Sequence, residues 1–377
     1  MSDIHLSLEL LVAAHRGEVP PEAISRIALQ HLFSLCPPCR EEMRLFRRWL
    51  EEGQAGEYAR ALLVPVLIEQ HAPQMEKEQR QARRDLDALL ALDPETRIAK
   101  VKRAHTRFRG TELARLLVSE SEKQVQVDPA AAYHWADLAR VVLNYSPNSQ
   151  ADFAPLSLAL AAMANARRAS GEIREAEARF GHVRDLIRKW GVTAPEVNAR
   201  IDELEGSLRK DQRLFAEAEE LLTRADILYR LAGEKIGAAR VLVKLGSAYY
   251  VQGRVDEAIR VVRTALCRWP PGANPRLYVS ARHNLACYLA EAGHTEEAAE
   301  VLDENEELYQ SFPDPWTQLR VTWLRGDLLA AQGDEEAAER SYREALGGFV
   351  DRGIGYDAAL VAMDLALLYL HQVISDN

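Results

Sequence analysis

Apolar residues recur along this chain at helical spacing over nearly its whole length, and no stretch holds the alternating pattern of a strand. From Gly110 onward the pattern falls into paired segments. Thr111 to Val127 with Pro129 to Leu143 forms an irregular first pair, and Phe153 to Ala169 with Glu172 to Trp190 a better one. Glu196 to Lys210 pairs with Leu214 to Ala232, and Ile236 to Gln252 with Val255 to Trp269. Pro275 to Ala292 pairs with Thr295 to Gln310, Pro315 to Gln332 with Glu335 to Val350, and Tyr356 to His371 stands alone.

The later pairs are copies of one another. Steps of 40 residues from Gly206 reach Gly246, Ala286, Gly326 and Ala366, and steps of 40 from Ala218 reach Ala258, Ala298 and Ala338. Gly253, Gly293 and Gly333 fall between the two series, where one helix must stop before the next begins. A fixed period of this length predicts a solenoid of helical hairpins.

In the pair beginning near Ile236, Leu245-Gly246, Tyr249, Ala258, Ala265 and Pro270 resemble the tetratricopeptide signature in type and spacing. The resemblance covers about 150 to 371 and implies an all-α, right-handed superhelical solenoid of helix-turn-helix hairpins. A period of 40 against the usual 34 implies slightly longer helices. The family lines its concave groove with the first helix of each hairpin and binds peptides or helices there. By that register the groove holds Arg200, Glu203 and Ser207, then Arg240, Val243 and Ser247, then Ser280, His283 and Cys287, then Arg320, Trp323 and Asp327. Arginine recurs at one position in this series, and beside Tyr250 and Trp323 it suits an acidic peptide carrying an apolar anchor. The competing expectation is that each arginine pairs with a neighbouring acid such as Glu203 or Asp327. The Asn and Lys set of the family's clamp for C-terminal carboxylates is absent.

Residues 1–53 hold the chain's metal-like chemistry. Cys36-Pro37-Pro38-Cys39 follows the expected helix Pro21 to Leu35, which carries His31. Two thiolates at this spacing and a helix-borne His can share one tetrahedral zinc, with His5 or His15 as the fourth ligand. The same residues also fit an inert proline turn or a redox dithiol, although no βαβ pattern surrounds them. His5-Leu6, Gly17-Glu18, His31-Leu32, Cys36, Cys39 and Arg40-Glu41-Glu42 resemble the zinc-binding anti-sigma-factor domain, with one extra residue between His31 and Cys36. The resemblance favours His5 and implies one structural Zn2+ held by His5, His31, Cys36 and Cys39. It also implies helices that wrap a sigma factor.

The expected organisation is therefore a zinc-finger-like domain at 1–53, a helical connector at 54–110, a repeat array at 111–371 with its best copies at 195–371, and a tail at 372–377. In the connector, Pro65 and Pro73 predict a kink or break in the run Glu57 to Leu92. The basic run Arg97 to Arg109 reads as a helix with Ile98, Val101, Ala104 and Phe108 on its buried stripe and its charges on a solvated face.

Composition narrows the function class. Hydrophobic content of 47% with 28% charged residues suits a folded, water-soluble chain. A net charge of -10 argues against nucleic-acid binding, which relies on surplus Lys and Arg. The absence of a long apolar run and of a leader-like N-terminus argues against a membrane span and secretion. With 4 cysteines in 377 residues, a reducing cytoplasm is expected. No phosphate loop or isolated acid pair suggests an enzyme, and Cys267, Cys287 and His283 read as buried helix residues. Tyr356 to His371 is apolar nearly all round, which predicts burial by a second copy of the chain or a shortened array. The expected function is a non-enzymatic scaffold that binds a partner peptide or helix. The alternative is a regulator whose N-terminal domain holds a sigma factor.

Overall fold

The computed structural model describes residues 56–104, 106–145 and 153–375, with side chains over 73–374 of these. The expected finger at 1–53 lies outside them. Every regular element among the described residues is an α-helix. The described chain divides into two compact units: one ends at Glu172 and adds Gly181–Gly191, and the other takes Ile173–Phe180 and all that follows Gly191.

The first unit contains α1 (Gly56–Leu90), α2 (Pro94–Arg103), α3 (Thr111–Gln124), α4 (Pro129–Asn144) and α5 (Ala154–Ala169), and it shares α6 (Ile173–Trp190) with the second. Its core joins Leu86 and Leu89 of α1 with Leu113 and Leu117 of α3 and Leu138 and Val142 of α4. Asp93 and Asp128 start α2 and α4 by accepting from the amides of Thr96 and Ala131, and a proline follows each at the first helical position.

Two expectations here need correction. Of the kink or break expected at Pro65 and Pro73, the break does not occur, because α1 runs on through both prolines. A proline's φ is itself helical, so a proline can weaken a helix by one backbone hydrogen bond without ending it. The basic run does not continue as helix to Arg109, because α2 stops at Arg103 and Ala104 turns extended. Phe108 adopts φ 60° and buries its ring, and the Arg109 guanidinium caps the helix end by donating to the carbonyls of Val101 and Ala104. Arg107 reaches back to buried Asp85 at 2.7 Å.

The second unit is the hairpin array: α7 (Pro195–Asp211) with α8 (Phe215–Leu231), α9 (Lys235–Val251) with α10 (Val255–Cys267), α11 (Pro275–Glu291) with α12 (Thr295–Glu304) and α13 (Glu306–Gln310), α14 (Pro315–Ala331) with α15 (Glu335–Asp351), and α16 (Gly355–Ser375). The expected helix Thr295 to Gln310 is split at Asn305, which is fully buried and bonds back to Leu302 in a tighter turn. Helix α16 runs past His371 to Ser375.

The small-residue ladder marks close helix crossings. A Cβ added at Gly246 would lie 2.5 Å from Val262, and one at Gly326 would lie 2.8 Å from the Tyr342 ring. Gly253, Gly293 and Gly333 turn each hairpin with φ between 74° and 82°. Arg213 occupies the same step of the ladder at φ 61°, a conformation that strains a side chain with a Cβ.

Candidate partner-binding groove

Four first helices, α7, α9, α11 and α14, supply the candidate groove positions, and their period of 40 sets one residue of each near an aromatic ring from the return segment of its own hairpin: Tyr229 on α8, Trp269 just past α10, Tyr309 on α13 and Phe349 on α15. Tyr229 donates to Glu203 at 2.8 Å, Trp269 shares a core with Val243, Tyr309 lies 3.3 Å from Nδ1 of His283, and Phe349 meets Trp323 edge-on. The ladder Tyr229, Trp269, Tyr309 and Phe349 was visible at the same step of 40 in the sequence. It is the sequence signal that places an aromatic ring beside each of these first-helix residues.

At the α7–α9 end these first-helix positions form a charge cluster. Glu203 is fully buried and accepts from Arg240 Nε and Nη2, both at 2.7 Å, while Arg200 lies at 2.7 Å and Lys244 at 3.0 Å. Burial alone would raise the Glu203 pKa, but Arg200, Lys244 and Arg240 outweigh it and hold the carboxyl well below its usual range. Desolvation, reinforced by Arg200 and Arg240 and opposed by Glu203, pushes Lys244 down to about 8. Two of the three ladder arginines therefore pair with an acid, and Glu203 lies beneath them as their organiser. Lys244, one turn beyond Arg240, completes the cluster and was not foreseen. Ser247 accepts from Lys210 at 3.4 Å.

The middle of the groove is aromatic. Tyr250 stacks on Tyr288 with centroids 4.6 Å apart. His283 is buried, and burial with the nearby Arg320 charge keeps its pKa well below the ordinary value, so the ring is neutral. Its Nε2 lies 3.6 Å from Cys287 Sγ, whose thiol burial pushes up to about 12. A neutral imidazole beside an un-ionised thiol is the reverse of an activated nucleophile.

Arg320 differs from its counterparts. Its guanidinium stacks over Trp316 at 4.9 Å and has no carboxylate partner among the described residues. It faces a pocket of about 30 Å³ lined by Ser280, His283, Tyr309, Phe312 and Trp316. At the far end, Trp323 Nε1 donates to Asp364 at 2.8 Å and the Tyr342 hydroxyl to Asp327 at 2.9 Å. Burial first, then the charge of Asp364, pushes Asp327 up to about 7 despite the Tyr342 hydrogen bond. The series of first-helix positions thus grades from cationic through aromatic to acidic. His5, His31, Cys36 and Cys39 lie outside the described residues, and among those described no cluster of three or more His, Cys, Asp or Glu is placed to hold a metal.

No family model matches the chain, and no curated protein matches it. Solved structures do. A Rap protein complexed with competence and sporulation factor superposes with a TM-score of 0.56 at 15% identity, over 71% of this chain and 73% of that one. Aspartyl phosphate phosphatase F from Bacillus subtilis gives 0.48 at 13% identity, over 98% and 96%. A Podospora anserina kinesin light chain of nearly identical TPR-like repeats gives 0.45 at 14% identity, over 54% and 98%. The fold is all-helical and of the tetratricopeptide-like repeat class.

Proposed function

We propose that the second unit is a docking array for a partner protein, and that its groove takes an acidic peptide or helix carrying an apolar anchor. One observation carries the reading: Arg320 is a partly buried guanidinium without a carboxylate partner among the described residues, set over a pocket with aromatic walls. A planar fork in that setting matches a carboxylate in two-pronged fashion, and Trp316 and Phe312 suit an adjacent apolar side chain. Arg240 and Lys244 alone outnumber Glu203, so the α7–α9 end adds further attraction for acidic residues. The Rap protein of similar fold was solved with competence and sporulation factor bound, a use in keeping with this one.

Selection of random peptides displayed on phage against the full chain tests it. Enrichment of sequences pairing Asp or Glu with a large apolar residue, lost with Arg320→Ala, is the expected result. Enrichment of basic sequences, or binding indifferent to Arg320→Ala, would overturn it. We also propose that residues 1–53 hold one structural Zn2+ through His31, Cys36, Cys39 and His5, and metal analysis of Cys36→Ser/Cys39→Ser against wild type decides the point.

A further inference from the structure

Helix α16 packs Val361, Leu365 and Leu368 against α15 and turns the rest of its apolar surface outward. Tyr356, Met363, Leu367, Leu370, Val373 and Ile374 are each more than half exposed. By length and composition Gly355–Ile374 is apolar enough to cross a membrane, with mean hydropathy 1.4. Six large apolar side chains exposed along one helix form the kind of apolar patch that marks an interaction surface.

The repeat register says what kind of surface this is. Ala366 stands where Gly206, Gly246, Ala286 and Gly326 stand in the preceding hairpins. At Gly206, Gly246 and Gly326 an added Cβ would strike Leu222, Val262 and Tyr342 of the hairpin's own second helix. The exposed face of α16 is thus the face on which this array receives a closely crossing helix, and Ala366 on it is exposed. Lipid would require no small residue there, and a span would carry Asp357 and Asp364 into hydrocarbon.

The order of side chains identifies the occupant. Tyr356, Ala359, Met363, Ala366, Leu370 and Val373 alternate steps of three and four residues, the spacing of a helix–helix seam. None is charged, and large residues alternate with smaller ones. Antiparallel pairing of two such helices sets Ala359 against Leu370, Met363 against Ala366 and Tyr356 against Val373, so each large side chain meets a small one. Parallel pairing would set large on large and leave voids at the alanines. We propose that α16 is the interface of a homodimer, in which the same face of a second copy packs antiparallel about a two-fold axis.

Light scattering on the full chain at micromolar concentration should give twice the 42.3 kDa of one chain. Met363→Glu/Leu370→Glu and, separately, Ala366→Trp should weaken self-association on the order of a hundredfold with helical content and thermal midpoint retained, since all three positions are exposed. Under mild oxidation, a mixture of Ala359→Cys and Leu370→Cys chains should cross-link, and Ala359→Cys alone should not exceed wild type. A monomeric wild type, a dimer untouched by these substitutions, cross-linking of Ala359→Cys to itself, or flotation with phosphatidylcholine–phosphatidylglycerol vesicles would each overturn the proposal.

Discussion

Arg240 holds Glu203 in a two-pronged grip, Nε on one carboxylate oxygen and Nη2 on the other, across two hairpins of the array. The residues are 37 apart in sequence, so the contact ties α9 to α7 as well as shaping the groove. Glu203→Gln keeps the volume but removes the charge that Arg200, Arg240 and Lys244 surround. Breaking a buried pair this way costs about 3–5 kcal/mol, readable in urea denaturation. The folded carboxyl titrates below its unfolded value, so its contribution is present above about pH 4.3 and lost as pH falls through the folded value. The gap between wild type and Glu203→Gln should therefore be widest near neutrality and close in acid.

Arg320 and Arg240 occupy equivalent positions two repeats apart and should respond differently. Arg320→Ala removes no ion pair found among the described residues, and a stability change within about 0.5 kcal/mol is expected alongside loss of acidic-peptide binding. Arg240→Ala should lower both, because Glu203 loses its principal partner. Equal destabilisation by the two substitutions would remove the distinction drawn between them.

The crossing and turn ladders make opposite predictions at two positions. Gly246→Leu forces a side chain against Val262 and Val261 and should destabilise by about 1–3 kcal/mol. Arg213→Gly relieves a left-handed residue at the step where the other hairpins use glycine, and should stabilise by about 0.5–1 kcal/mol. Thermal melts of the two variants, compared with wild type, measure both.

Much of this architecture was legible because the repeat period is carried by residues whose size is dictated locally. Glycine at 246 and alanine at 258 report a crossing that no larger side chain fits, and the groove register followed from them. What the sequence did not disclose depended on pairing across hairpins. The burial of Glu203 requires partners on two other helices, and no spacing within α7 announces it. The end of α2 at Arg103 was hidden because Phe108 continues the apolar stripe while its backbone leaves the helix. Pro65 and Pro73 misled in the other direction, since a rule about hydrogen-bond loss says where a helix is weakened and not where it stops.

The acidic end of the groove supplies a pH dependence of the opposite sign to that of Glu203. Burial, with Asp364 and Glu291 adding to it, lifts Asp327 to about 7, so the folded state holds a proton that the unfolded chain releases near 3.9. A raised folded value means stability that is full below the unfolded pKa and declines as pH rises through about 7. Asp327→Asn retains an oxygen to accept from Tyr342 and cannot ionise. Its advantage over wild type should therefore appear as pH rises above about 4, grow up to about pH 7 and level off beyond, reaching on the order of 4 kcal/mol, at ~1.4 kcal/mol for each pH unit between the unfolded and folded values. Asp364→Asn removes the nearest like charge, so in that background the transition should move to lower pH while Trp323 keeps an acceptor. Thermal midpoints of the three proteins across this range separate mutual repulsion from burial, because burial alone would leave the Asp327 transition where it is in the Asp364→Asn chain.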